Sequence, residues 1–391
     1  MTYRIAIVGG GLGGLSAALA LLRRGFDVHV YERAPELLEI GAGVHIGPNC
    51  TRILRSFGLG EHLDRIGFRP SRSVFRRWSD GEIIADHAMD DLAVAYGAPV
   101  YTVHRGELLA MLLSAFPSER VHVDHRCVAI EQNQDGVRIR FDHDRDVVAD
   151  LVVGADGIHS TVRDYVVEPE KPLFSGCCAY RGLLPWEVMK QIGGEKVVGA
   201  WFGPGGHVVQ YPISGGSVMN IVAMVQEPSW TRESWLDVGS KTDLLNHFAG
   251  WDPRLQDMFR AMDDASLMKW ALYDRAALPT WRKGRVVLLG DAAHAMLPFM
   301  AQGAAQAIED GVTLARSLEA FDIDEALVKY EDVRRPRATR VQDASRENNI
   351  TFHSNDDSVQ QKRDSQLSQR ETIHYVYSYD ALSAPLESAS A

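Results

Sequence analysis

Cysteine is scarce in this chain. Among 391 residues there are four, Cys50, Cys127, Cys177 and Cys178, two of them adjacent and no pair at C-x-x-C spacing. That excludes a disulfide scaffold and gives no zinc or dithiol motif, so buried free thiols in a reducing cytoplasm are expected. Long apolar runs are also missing. The best, Leu15 to Leu22, stops at Arg23 and Arg24, well short of the roughly 18 residues a membrane-spanning helix needs. The chain enters a strand-like run at Tyr3 with no basic-then-apolar leader pattern, so no targeting peptide is expected. Positive charge is in deficit, with 41 Lys and Arg against 52 Asp and Glu, net −11. Nucleic acid and anionic membranes are thereby excluded as partners, because both attract a basic field. A small anionic substrate is not excluded, since a locally positive pocket can sit inside an acidic protein. There is no internal repeat, and no H-E-x-x-H, G-x-S-x-G or G-x-x-x-x-G-K-[ST]. The 14 histidines show no metal spacing; His122 and His125 fall on an expected strand that would point them to opposite faces, so no metal is expected.

What is present is enough for a large core: 46% of residues are hydrophobic and 24% charged, the proportions of an ordinary globular chain of one large or two joined domains. Ile5 to Val8 reads as a strand buried on both faces. A glycine run, a helix from Leu15 to Arg24 with Gly25 as its cap, and a strand from Val28 to Tyr31 complete a βαβ unit. Asp150 to Gly157 and Gly284 to Asp291 repeat the pattern of a buried strand ending in Gly and Asp, the place where open α/β sheets bind ligands. Between about 173 and 275 the pattern changes to antiparallel strands, Val197 to Phe202, Val208 to Tyr211 and Val218 to Val225, divided by glycine turns. From about 304 the chain is helical. Pro336, inside the basic stretch Arg334 to Arg340, is expected to kink or end a helix. Asn355 to Thr372 reads as a solvated helix or mobile segment, and Tyr375 to Asp380 as a subunit contact or a packed tail.

Gly9, Gly11 and Gly14 satisfy G-x-G-x-x-G between a strand and a helix. The first glycine makes the turn, the second admits a pyrophosphate, and the third lets helix and strand pack. Glu32 lies 32 − 11 = 21 residues past the middle glycine, where a carboxylate takes the ribose hydroxyls. This fingerprint does not separate NAD from FAD. The other two strand ends do, because a plain nicotinamide dehydrogenase has no use for Gly154-Ala155-Asp156-Gly157 and Gly290-Asp291-Ala292-Ala293-His294 far downstream.

With these three motifs in this order the chain resembles the single-component FAD-dependent aromatic hydroxylases, the family of 4-hydroxybenzoate hydroxylase. The likeness is nearest to the salicylate, 3-hydroxybenzoate and 6-hydroxynicotinate enzymes, and it runs from residue 3 to about residue 340. The resemblance implies an α/β fold: a Rossmann-like FAD-binding domain (1–75, 105–170 and 276–340) and an inserted antiparallel β-sheet substrate domain (76–104 and 171–275), followed by C-terminal helices and a tail (341–391). It also implies roles. Gly9, Gly11, Gly14 and Glu32 match the FAD pyrophosphate and ribose motif, with Arg33 beside the adenosine. Arg105 matches an arginine on the flavin side, and Cys127 the backbone contact to adenine. Asp156 matches a motif serving both FAD and the nicotinamide donor, and Asp291 the carboxylate on the ribityl or pyrophosphate part. Pro298 matches the proline at the flavin face, and Gly303 with Ala304 opens a helix aimed at the isoalloxazine, whose reduced anion a helix N-terminus favours.

The implied cofactors are FAD, with NADH or NADPH as electron donor; the implied chemistry is a flavin C4a-hydroperoxide whose distal oxygen passes to a hydroxylated aromatic or N-heteroaromatic carboxylic acid, with or without loss of the carboxyl group. Partners are then the small aromatic carboxylate, O₂ and NAD(P)H, on a monomer or homodimer. The protein must supply a dry cavity and a base that ionises the substrate hydroxyl. His207 matches the active-site histidine of the 3-hydroxybenzoate and 6-hydroxynicotinate enzymes, and its reference pKa of about 6.5 suits a base at neutral pH. Tyr211, four residues on and so on the same strand face, matches a substrate-binding tyrosine. His45, in the loop Gly41 to Asn49 that in the family passes next to the flavin, matches the 6-hydroxynicotinate type, whereas the 3-hydroxybenzoate type has glutamine. Arg181 is a carboxylate holder or half of a structural ion pair. Phe299 departs from the histidine of the 6-hydroxynicotinate enzymes, and Pro298 from the glutamine of the 3-hydroxybenzoate type. Trp270 to Arg275 and Leu297 to Phe299 lean toward salicylate hydroxylases. Two other readings remain: a FAD-binding redox protein that does not turn over, and a nicotinamide-only dehydrogenase.

Overall fold

The computed structural model describes residues 3–37, 43–229, 237–369 and 371–387. Gly41 and Ala42 of the glycine-rich stretch lie outside the described residues, as does the end of the tail. Ile5, Ile7, Val28, Val30, Val152, Val153, Val286 and Val287 are completely buried, as β-branched runs in a doubly covered parallel sheet must be. Their six-stranded sheet runs Arg282–Lys283, Val286–Leu288, Leu151–Gly154, Arg4–Val8, Asp27–Tyr31, Val121–His122. All neighbours are parallel except the first pair. Val8 is in register with Gly154, and Gly154 with Leu288. Three motifs separated by hundreds of residues therefore end side by side on one carboxyl edge.

The helix after the first strand spans Leu12–Leu22, starting three residues earlier than expected, and left-handed Gly25 follows its cap residue, Arg23. It packs on the Gly303–Ala320 helix so closely that a Cβ on Gly311 would come 2.7 Å from the Ala17 Cα.

The second sheet has seven strands in the order Met268–Asp274, Leu173–Pro185, Val218–Gln226, Gly206–Ile213, Val198–Gly203, Arg72–Arg77, Ile83–Ala88. Period-2 alternation divides its residues. Cys178, Tyr180, Val208, Ile221, Ala223 and Val225 pack against Phe248, Leu255 and Phe259 on one side. Cys177, Ala179, Val222, Met224, Trp270 and Leu272 meet Leu297 and Phe299 on the other. The second face is thus turned toward the nucleotide-type sheet.

Three local expectations need correction. Of the two expectations at Pro336, a kink or an end, the Ile323–Phe352 helix overturns the end by continuing through it. Pro336 and Asp332, whose carbonyl loses its donor, are both exposed, so that carbonyl is open to solvent, while Arg334 and Arg337 anchor the helix on its buried side. His122 and His125 do not oppose each other across a strand. The strand is only Val121–His122, His125 lies in the following turn, and their rings sit 5.8 Å apart, with His122 stacked on Tyr31 and bonded to His29 Nδ1 at 3.0 Å. The stretch around His45 is a strand, Gly43–Ile46, paired with Tyr101–His104 rather than a free loop. Asp357–Gln369 is a helix. The tail packs on its own chain, with Arg337 Nη2 donating to the Val376 carbonyl at 3.1 Å and Arg52 Nη2 to that of Tyr377 at 3.1 Å. Among the described residues no helix is long and apolar enough to cross a membrane, no group of three side chains could hold a metal, and all four cysteines are free and buried.

Candidate active site

The glycine loop divides its labour sterically. Gly9 holds φ +110, and a Cβ there would lie 2.3 Å from the Ala155 carbonyl oxygen; at Gly14 it would lie 2.0 Å from that of Gly9. At Gly11 a Cβ would meet nothing within 4 Å. Two glycines close the turn and the middle one faces open space at a helix N-terminus with no side-chain cap, a cradle suited to a pyrophosphate. Glu32 braces it, its Oε2 accepting from Gly10 N at 2.7 Å and its Oε1 from Ala34 N at 2.9 Å, with Arg33 exposed beside it.

On the next strand end, Asp156 accepts from Thr161 N at 2.8 Å and Val162 N at 3.2 Å, and from the Ser160 hydroxyl. It thereby supports the start of the short Thr161–Val166 helix, whose cap residue is Ser160, and burial raises its carboxyl pKa despite those donors. Cys127, first residue of the Cys127–Asn133 strand, feels the same carboxylate; burial and Asp156 push its thiol up to about 12, so it contributes shape and backbone rather than reactivity. Asp291 stands exposed at the start of the Asp291–His294 turn of helix.

Behind that edge lies a buried charge network that sequence reasoning missed. Arg334 reaches Asp310 at 2.7 Å and Glu309 at 2.5 Å, and Arg337 reaches Glu309 at 2.7 Å. Asn49 donates to Glu309 at 2.6 Å, while Asp310 receives Gly290 N at 3.0 Å and sits 2.6 Å from His294 Nε2. Burial would raise the Asp310 carboxyl, but His294 and Arg334 outweigh it and hold it at about 2. The network ties the Gly290–Asp291 turn, the Pro48–Ser56 helix and the Gly303–Ala320 helix together. It thereby fixes where Gly303 and Ala304, the first helical residues after the Pro298–Met300 turn, stand. The signals were an acidic pair inside an apolar helix and the basic stretch around Pro336.

On the inward sheet face, Tyr211 lies against the His45 strand. A Cβ on Gly43 would strike the Tyr211 ring at 2.5 Å, and Gly43 N donates to Asn220 Oδ1 at 3.0 Å. His45 Nε2 is enclosed without a partner among the described residues, and burial lowers the imidazole to about 4, so the ring is neutral. Arg181 lies 4.7 Å over the Trp270 ring; its Nε has no hydrogen-bond partner, and among the described residues no carboxylate pairs with it. Burial lowers its guanidinium to about 10, with Tyr211 opposing and Arg105 adding to that shift, which puts the three near one another. Burial in turn raises the Tyr211 hydroxyl to about 12. A structural ion pair for Arg181, one of the two expectations, is not observed among the described residues.

His207, 3% exposed, lies farther along the same strand. It meets Phe299 edge-on at 5.4 Å and its Nδ1 is 2.7 Å from His353 Nε2. Burial, then His353 and Arg363, lower its pKa well below the usual histidine value. Phe299 is buried, and Pro298 beside it is exposed. The structure thus gathers Tyr211, Arg181, Arg105 and His45 at one end of the face and His207 with Phe299 at the other. His353 and Asn220 were missed; nothing in their local sequence marks them.

A parallel nucleotide sheet with an open glycine cradle, faced by a large antiparallel sheet carrying unpaired polar groups, is the fold of the FAD-dependent aromatic hydroxylases. The chain belongs to the FAD binding domain family, whose model matches residues 2–192 and 231–345. It is 39% identical to 3-amino-4-hydroxybenzoate 2-monooxygenase PtmB3 of Streptomyces platensis, covering 98% of both chains. It is 37% identical to 6-hydroxynicotinate 3-monooxygenase of Bordetella bronchiseptica, over 88% of this chain and 91% of that one. Its structure matches Klebsiella pneumoniae HpxO complexed with FAD and uric acid at a TM-score of 0.89, with 28% identity and 98% of each chain covered.

Proposed function

We propose that this enzyme uses NAD(P)H and O₂ to hydroxylate a hydroxylated aromatic or N-heteroaromatic carboxylic acid in the cytoplasm, with residues 76–104 and 171–275 supplying the substrate layer. The observation that carries the proposal is Arg181, half-buried with its Nε enclosed and with no anionic partner among the described residues, on the same sheet face as the neutral His207. A lone buried cation costs several kcal/mol unless a ligand anion compensates it. The substrate carboxylate lies against Arg181 and the Tyr211 hydroxyl. Four residues of strand separate Tyr211 from His207, roughly 13 Å at about 3.3 Å per residue, which leaves room for an aromatic ring between the two inward-reaching side chains. His207 Nε2, which has no partner among the described residues, accepts the proton of the ring hydroxyl and leaves the ring electron-rich. His45 presents its enclosed Nε2 at the flavin side, and Phe299 walls the cavity against water.

FAD, when bound, supplies the oxygen activation. Gly11 would admit its pyrophosphate, Glu32 and Arg33 would meet the adenosine half, and Asp156 and Asp291 would border the chain between. Arg105, Pro298 and the Gly303–Ala304 helix start would hold the ring. Purified protein should absorb as a flavoprotein and oxidise NADH or NADPH faster, with O₂ uptake, when given 3-amino-4-hydroxybenzoate, 6-hydroxynicotinate, salicylate or 3-hydroxybenzoate. Product mass reports whether CO₂ is lost. A FAD-loaded protein that none of these acids stimulates would refute the substrate class.

A further inference from the structure

The neighbour of His207 is itself a histidine, and the hydrogen bonds around it have one consistent direction. His353 Nδ1 lies 3.7 Å from Cys177 Sγ, and that thiol donates its own proton to Asn349 Oδ1 at 3.1 Å. The sulfur is left to accept, so with His353 Nε2 committed to His207 at 2.7 Å, the His353 nitrogen that carries a proton is Nδ1. His353 Nε2 is then left with an electron pair, so the shared proton sits on His207 Nδ1. The remaining His207 nitrogen, Nε2, is the one without a partner among the described residues. The two ring nitrogens of a histidine are distinguished by what the second one bonds, and here the Cys177 thiol, with its own proton committed to Asn349, sets the distinction.

We propose that His353 is the positioning residue for His207: it fixes the tautomer that offers Nε2 to the substrate hydroxyl, and it receives the Nδ1 proton when Nε2 gains one. The proposal rests on the reading of His207 as the base. In the step, the substrate O–H bond breaks and its electron pair stays on oxygen. The proton bonds to His207 Nε2, the Nδ1 proton moves to His353 Nε2, and the positive charge comes to rest on His353. No electrons change hands. His207 stays neutral beside the ionised ring, and the cation is one imidazole farther from the substrate. The groups packed round the pair are Cys177 from the Leu173–Pro185 strand, Asn349 from the Ile323–Phe352 helix, the rings of Phe202, Phe299 and Phe352, and the Arg363 guanidinium from the Asp357–Gln369 helix. Among the described residues no carboxylate acts on either histidine. Arg363, held by Asp364 at 2.7 Å, disfavours a lasting positive charge on His353.

The test uses the FAD-loaded full chain as His353→Gln, His353→Phe and His207→Gln, with 3-amino-4-hydroxybenzoate, 6-hydroxynicotinate and salicylate as probes. Bound-substrate absorbance is followed against pH to locate ionisation of the hydroxyl, and kcat is measured over the same range. Both His353 variants should keep FAD absorbance and probe affinity. They should lower kcat by about 10–100-fold and move the ionisation of the bound hydroxyl up by a pH unit or more. If His207→Gln loses both properties while the His353 variants keep the parent curves, His353 has no such role. Loss of FAD or probe binding with an unmoved ionisation curve also overturns it, making His353 structural only. If His207→Gln itself changes neither property, the base reading fails first and takes this proposal with it.

Discussion

Replacing Arg181 with Met separates what the guanidinium does for the ligand from what it does to the fold. It is held down from the usual arginine range to about 10, chiefly by burial. At about 1.4 kcal/mol for each tenfold, that is roughly 3 kcal/mol of strain carried by the substrate-free protein. A ligand carboxylate relieves it, and methionine removes it. Arg181→Met should therefore weaken binding of salicylate or 3-amino-4-hydroxybenzoate by about 100-fold, the factor that roughly 3 kcal/mol represents. The same change should leave the substrate-free enzyme as stable as the parent or more so by about 1–3 kcal/mol. The assay has two arms: ligand titration by flavin absorbance, and urea unfolding of the FAD-loaded protein without substrate. A third comparison removes the carboxylate instead, because a phenol of the same ring should bind parent and variant alike. A variant that is less stable yet binds the acids with unchanged affinity would refute the placement of the carboxylate at Arg181.

Two further outcomes follow from geometry already given. Gly11→Ala should fold and lose FAD affinity by tenfold or more, because its Cβ enters only the open cradle. Gly14→Ala should fail to accumulate as folded protein, because its Cβ would meet the Gly9 carbonyl at 2.0 Å; expression and FAD titration of the two side by side decide. Stability should also fall early on acidification. His45 and His353 are each held near 4 against 6.5 when unfolded, so below 6.5 the unfolded chain binds more protons and the folded state loses ground down to about pH 4. Asp310, held at about 2 against 3.8, adds a second loss between about pH 4 and 2. Urea midpoints at pH 7.5, 5.5 and 4.5 should decline steadily, and a flat profile down to pH 5 would contradict the burial of these imidazoles.

The cofactor edge was legible because its chemistry demands glycine at fixed spacing: a backbone that must touch Ala155 or Gly9 admits nothing larger, and that constraint is local. The sheet face carrying His207 and Tyr211 was legible for a similar reason, since strand period fixes side-chain direction. What could not be read depends on partners far along the chain. Asp156 has the residues after it to support, yet the motif alone does not show that both its oxygens are used there. Pro336 breaks helices in general; here the carbonyl it orphans faces water and Arg334 meets buried carboxylates about 25 residues back, so the helix survives. His353 lies 146 residues from the histidine it bonds, and no periodicity connects them.

The register of the nucleotide sheet has a bearing on how the protein is made. Val8 sits beside Gly154, and Gly154 beside Leu288, so the amino-terminal strand emerges from the ribosome long before its second-neighbour strand exists. At about 5–20 residues per second the wait is on the order of half a minute. Through that interval the glycine loop has its turn but not its opposite bank. The cofactor cleft is therefore a late product of synthesis, completed only when the helix of Arg334 and Arg337 arrives to clamp Glu309 and Asp310. A nascent chain stalled before that point displays the recognisable fingerprint without the means to hold the nucleotide.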